Sequence, residues 1–237
     1  MGVGNSIGQA IVPAVDKLVE TRYESARERA ARLRRARPDI SSVEIANVLI
    51  ARYRKELAAA GAAAGGASAI PGVGTAGSLA ISAADAGWTV GRLGEMVLSI
   101  GAAYGHEAEE IEERRAWVIA VLGMASGAAG GIGGVAGQVG AKGGVKVVKA
   151  IPMWQITQLN QALGGRIVVK WGAKQGVVRL GRLVPFGLGA AIGGGGNVLL
   201  VHAVGARAKD FFDDGLSSHP NDHPPDRAPV GAGDIAR

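Results

Sequence analysis

The chain contains no cysteine among its 237 residues. This absence excludes disulfides, thiolate metal sites and a cysteine nucleophile, and it agrees with a reducing compartment. Aromatic residues make up only 4% of the chain, whereas glycine occurs 39 times. The apolar residues are therefore mostly small and bury little area each, so we expect stability to come from close approach of helix backbones.

Acidic residues are absent from the 96 positions between Glu113 and Asp210, which hold twelve lysines and arginines. The same stretch is rich in Gly, Ala, Val, Leu and Ile. Surfaces of soluble proteins normally mix both signs of charge. An apolar segment with one sign of charge suits an apolar and negative surface, such as the anionic leaflet of a membrane. The net charge of +6 also favours an anionic partner.

Two series of basic residues within this stretch have helical spacing, and a break is expected near Ile151–Pro152. The alternative is that these basic residues form an ordinary solvated helix face. Nucleic acid is a less favoured partner, because aromatics are scarce and no binding motif is present. The residues predicted to contact an anionic surface are Lys142, Lys146, Lys149, Arg166, Lys170, Lys174, Arg179 and Arg182.

The N-terminal region predicts two helices. Residues 16–37 carry seven arginines and three glutamates and predict an exposed, charged helix that Pro38 terminates. A second helix is expected from about Val43 to Ala60, with Asp39, Ser41 or Ser42 as its N-cap.

Three long segments carry no charged residue: Leu57–Ala84, Ala116–Ala141 and Leu183–Ala206. Each is long enough to cross a bilayer, but glycine and alanine dominate and proline interrupts two of them. They predict either buried helical hairpins of a soluble or peripheral bundle, or hairpins that insert into lipid.

Two of these segments are alike, one beginning IPGVGTAG at Ile70 and the other VPFGLGAA at Val184. Proline favours the first helical turn and glycine permits a tight entry, so both predict a hairpin. The expected tips contain Pro71, Gly72, Gly74, Pro185, Gly187 and Gly189. Midway along the helix that follows each tip lies Asp85 or Asn197. We expect these two to be buried and to bind each other, with a functional site within the membrane as the alternative for Asp85.

Motifs for catalysis or cofactor binding are incomplete. Gly72-Val-Gly74-Thr-Ala-Gly77 matches G-x-G-x-x-G, but an Ala/Gly-rich helix is expected before it in place of a strand. The sequence HEAEE at His106 lacks the second histidine of a zinc motif. His202, on an apolar helix, is expected to be a packed core residue. We therefore predict no catalytic residue, no metal and no cofactor.

Several segments resemble the EcsC family: IPGVGT with the small-residue helix that follows, GRLGEMVLSIGAAYGHE, EERRAWVIAVLG and RLVPFGLGAAIGGGGNVLLVHAVGARAKDFF. With their spacers they cover roughly residues 43 to 213. The family is mainly bacterial and is named for a gene beside an ABC transporter. The resemblance implies an all-helical, membrane-associated domain of poorly defined activity, without agreed catalytic residues.

The sequence thus predicts a single all-α bundle with Gly/Ala-rich helical hairpins. Residues 1–39 would form a charged N-terminal helical region, 40–215 an EcsC-like domain and 216–237 a disordered tail. The predicted function is that of a non-enzymatic accessory protein, cytoplasmic and peripheral to the cytoplasmic membrane. Its partner would be anionic lipid or a membrane protein such as a transporter. The alternatives are a soluble protein-interaction module and an enzyme whose site the sequence does not reveal.

Overall fold

A computed structural model describes residues 15–67, 75–126, 143–152, 154 and 188–215. These residues form seven helices and no strand, which confirms the predicted all-α fold within the described ranges. The helices are α1 (15–21), α2 (Tyr23–Ala36), α3 (Ser42–Ala67), α4 (Thr75–Ala103), α5 (Ile111–Ser126), α6 (Gly144–Ala150) and α7 (Leu188–Phe212). Among them, none has both the length and the apolar content that crossing a bilayer would require.

The N-terminal charged segment is bent and partly buried, so the prediction of one exposed helix was wrong. Arg22 separates α1 from α2, although the backbone hydrogen bonds Arg22 N to Leu18 O and Ala26 N to Arg22 O span the bend. Tyr23 and Ala26 are buried on α2, which packs chiefly on α4. Small or aromatic residues at helical spacing thus form an inner face beneath the arginines.

Capping residues mark two helix boundaries, the start of α3 and the end of α4. At the start of α3, the Ser41 hydroxyl accepts the Glu44 backbone N–H, and the Glu44 carboxylate accepts the Ser41 backbone N–H. This reciprocal capping box selects Ser41 from the three predicted caps. At the end of α4, Gly105 has φ +79°, Gly105 N donates to Ala102 O, and His106 N donates to Gly101 O. These bonds form a Schellman motif, for which glycine is favoured.

The predicted break near Ile151–Pro152 is confirmed. Helix α6 ends at Ala150, and Ile151 has the extended conformation that a residue before proline prefers. The buried residues of α6 include Val145 and Val148, which join the main hydrophobic core.

Helices α3 and α7 form the most extensive helix pair of the described chain. The pair is antiparallel, because Asn197 of α7 meets Leu57 of α3, whereas Lys209 meets Asn47. Gly205 lies between these contacts, and a Cβ at this position would be 2.7 Å from the Ile50 Cδ1 atom. The close approach expected of a small-residue helix is therefore present in this pair.

We expect Gly205→Ala to destabilise the protein by about 1–3 kcal/mol, because the added methyl overlaps the β-branched Ile50. The matched control is Gly195→Ala on the same helix, where an added Cβ meets no atom of the described residues within 4 Å. The control should stabilise the protein by up to about 1 kcal/mol through helix propensity. Urea denaturation measures both, and equal effects of the two substitutions would contradict the close α3–α7 contact.

One main hydrophobic core unites the helices. It contains Val15 and Leu18 from α1, Leu57 from α3, Trp117 from α5 and Phe212 from α7. The helices within residues 1–39 therefore share their core with those of the predicted EcsC-like region.

Candidate functional site

The predicted basic residues fall partly on α6. Lys146 and Lys149 are exposed, whereas Val145 and Val148 of the same helix are buried. We call Lys146 and Lys149 the α6 basic face. The Lys146 Nζ atom donates a 2.8 Å hydrogen bond to the Asp214 carbonyl, which ties α6 to the residues after α7. The other predicted contacts, Lys142, Arg166, Lys170, Lys174, Arg179 and Arg182, lie outside the described residues.

The hairpin tips also fall largely outside the described residues, which exclude Pro71, Gly72, Gly74, Pro185 and Gly187. Gly189 lies in the first turn of α7. The predicted tips therefore stay predictions.

Asn197 is buried, as expected, and its Nδ2 atom donates a 2.8 Å hydrogen bond to the Leu57 main-chain carbonyl. This bond joins α7 to α3. Asp85 belongs to α4, but its side chain lies outside the described part of the structure. Pairing between Asp85 and Asn197 stays a prediction.

His202 is exposed on α7, so its predicted place in the core was wrong. It lies on the side of α7 that faces away from the buried Val201 and Val204. The helix is apolar on more than one side, and composition alone therefore did not distinguish its inner face.

Of the two histidines among the described residues, His106 is the one that packs against the core. Its Nε2 atom lies 2.9 Å from the Phe212 carbonyl oxygen, so Nε2 carries the proton in this bond. The ring centroid is 5.6 Å from that of Phe212 and 6.4 Å from that of Trp117. Burial lowers the pKa of His106 below its usual value, although the Phe212 carbonyl and Asp214 oppose this shift.

A buried carboxylate organises the junction of α2, α3 and α4. Glu95 of α4 is only 1% exposed. The Arg92 Nη1 atom donates a 2.5 Å hydrogen bond to Glu95 Oε2, and Arg29 Nη2 of α2 lies 2.6 Å from Oε1. The contact between Arg29 and Glu95 Oε1 is an ion pair, but its angles are not those of a hydrogen bond. Two guanidinium groups thus compensate one buried negative charge, as burial requires.

The same arginine extends this cluster to α3. Arg92 binds Glu56, whose Oε1 also accepts a 3.2 Å hydrogen bond from Arg52 Nε. Burial would raise the pKa of Glu56, but hydrogen bonds from Arg92 and Arg52 hold it below its usual value. We call Arg29, Arg52, Glu56, Arg92 and Glu95 the ion-pair network.

Tyr53 and Ser99 complete the polar cluster. The Tyr53 hydroxyl accepts a 2.9 Å hydrogen bond from Arg29, and the Ser99 hydroxyl donates to the Glu95 carbonyl at 2.8 Å. Since the single Ser99 hydroxyl proton is used, Tyr53 is the donor in its 3.4 Å contact with Ser99. Burial raises the pKa of Tyr53, which keeps the hydroxyl protonated.

Sequence reasoning missed this network. The Arg92 guanidinium binds Glu56 and Glu95, and the sequence pattern did not indicate this pairing. A signal was present: Glu95 is followed by eight uncharged residues at the end of α4, and a buried carboxylate requires a cationic partner.

Two cavities adjoin these groups. One of about 400 Å³ lies between α2 and the α4–α5 connection, where both signs of charge meet, including Arg27, Arg34 and Glu107. The other, of about 320 Å³, lies between α1 and α4, and we call it the α1–α4 cleft. Its lining is Lys17, Leu18, Thr21, Arg22, Gly87, Trp88, Gly91, Arg92 and Glu95.

Chemically, these arrangements offer ionic and hydrogen-bonding contacts. No group of three or more His, Asp or Glu side chains is placed to hold a metal ion in the described part of the chain. No protein-family model, curated protein or solved structure was found to match the chain.

Proposed function

We propose that this protein is a non-enzymatic, membrane-associated accessory protein of the EcsC type. It would lie at the cytoplasmic side of the membrane and bind anionic lipid, or an acidic surface of a membrane protein such as a transporter. The observation that carries this proposal is the α6 basic face, which is exposed on a helix whose opposite side is fixed in the core.

The geometry of α6 supports electrostatic docking. Val145 and Val148 hold the helix against the core, so its lysines are presented by a rigid element. Trp154 follows four residues after the end of α6 and is 61% exposed. An exposed tryptophan near lysines in the sequence is typical of segments that lie at the interface between lipid headgroups and acyl chains.

The test is co-sedimentation of the full chain with phosphatidylglycerol/phosphatidylcholine vesicles. Each lysine near an anionic leaflet contributes about 1 kcal/mol, so Lys146→Gln with Lys149→Gln should weaken partitioning about 30-fold. The matched control, Arg54→Gln with Lys55→Gln, removes the same charge from exposed positions of α3 and should have a much smaller effect.

Three results would contradict parts of this proposal. Equal losses in both double variants would show that α6 is not the docking face. Equal binding to pure phosphatidylcholine vesicles would remove the electrostatic component. A monodisperse protein that binds no vesicles at all would favour a soluble protein-interaction module.

A further inference from the structure

The α1–α4 cleft begins where two helices separate. At Gly94, α1 touches α4 closely, since a Cβ there would be 2.8 Å from Leu18 Cδ2. Gly91 and Gly87 lie one and two turns earlier, and a Cβ at either would meet no atom of the described residues within 4 Å. Glycine within a helix is unfavourable relative to alanine. Packing against Leu18 explains Gly94, whereas Gly87 and Gly91 leave bare backbone at an open cavity.

The charge of the cleft is positive. Lys17 and Arg22 are exposed at its rim, and neither forms an ion pair with a described carboxylate. Arg92 and Glu95 lie at its base. Because Arg29 and Arg92 both contact Glu95, the carboxylate does not offset the cations at the rim.

The mouth of the cleft also holds an aromatic surface. The Trp88 side chain is 45% exposed. An exposed indole beside cationic groups provides a flat apolar surface next to an anion-binding position.

We propose that the α1–α4 cleft binds a phosphate ester. The phosphate would lie between Lys17 and Arg22 at the rim, and the organic part would lie between Trp88 and the bare backbone of Gly91. The volume of about 320 Å³ is at the lower end for ligand sites and suits a small ester. A lipid headgroup and a soluble organic phosphate share this chemistry. Binding here is independent of docking through the α6 basic face.

Isothermal titration calorimetry of the full chain tests this proposal with three probes: inorganic phosphate, adenosine monophosphate and monomeric dihexanoyl phosphatidic acid. We expect saturable binding of at least one ester at one site per chain. Preference for adenosine monophosphate would identify a soluble ligand, and preference for the lipid a headgroup. Gly91→Leu should fill the cleft and weaken binding at least about tenfold.

The control for Gly91→Leu is Gly195→Leu, also a glycine with open space above its Cα, which should bind as the unaltered protein does. Lys17→Gln with Arg22→Gln should weaken binding at least about tenfold without changing the core. This charge variant decides the matter if Gly91→Leu does not fold. Absence of saturable binding of both esters at millimolar concentration, or binding unchanged in the charge variant, would overturn the proposal.

Discussion

Glu95→Ala is expected to lower the free energy of unfolding by about 3–5 kcal/mol. The substitution leaves the guanidinium groups of Arg29 and Arg92 at a buried position without the carboxylate that both contact. Each of these side chains is only 17% exposed, so water compensates the loss poorly. For a domain of this size, a decrease in melting temperature of roughly 10 °C follows.

Thermal and urea denaturation measure this effect, with Glu28→Ala as the control. Glu28 pairs with Arg35 at 2.6 Å, but both side chains are at least half exposed. An exposed pair contributes about 1 kcal/mol or less. If Glu95→Ala lowers the free energy of unfolding no more than Glu28→Ala does, the ion-pair network is hydrated in solution.

Phe212→Ala is expected to cost about 3–5 kcal/mol, as the loss of a buried aromatic ring leaves a cavity. The Phe212 ring is fully buried, and it packs edge-on against Trp117 at 5.2 Å and against Phe211 at 4.9 Å. Denaturant unfolding measures the loss. A loss below about 1 kcal/mol would contradict the packing of α7 against α4 and α5 at this ring.

A double-mutant cycle tests the contact between Phe212 and Gly101. A Cβ at Gly101 would lie 2.9 Å from the Phe212 ring, so Gly101→Ala alone should cost about 1–3 kcal/mol. Phe212→Leu provides space for that methyl. The combined variant should therefore lose less than the sum of the two single losses, whereas simple additivity would show that the two positions do not touch.

Sequence reasoning succeeded where a few neighbouring residues decide the structure. Pro38, Ser41 and Pro152 each mark a helix boundary through their own backbone or side-chain chemistry. The all-α class followed in the same way, from helical spacing and from the lack of other patterns. Such signals are local, and no knowledge of tertiary contacts was needed to interpret them.

The ion-pair network could not be predicted from such local signals, because its members come from three helices. Arg29 belongs to a helix with many arginines, and nothing in the sequence distinguishes the one that contacts Glu95. Glycines pose the same difficulty. Gly94 accommodates Leu18, whereas Gly91, one turn earlier on the same helix, faces open space. Only the separation of α1 from α4 distinguishes these two positions.

The antiparallel pairing of α3 with α7 also constrains the order of assembly during synthesis. The Asn197–Leu57 bond joins residues 140 positions apart. At about 5–20 residues per second, a ribosome needs on the order of 10 s to make that intervening chain. During this interval α3 has no α7 to pack against, and its face with Ile50 and Leu57 is accessible to other molecules. The nascent chain is consequently exposed to chaperones, or to a lipid surface, before its own last helix can compete for that face.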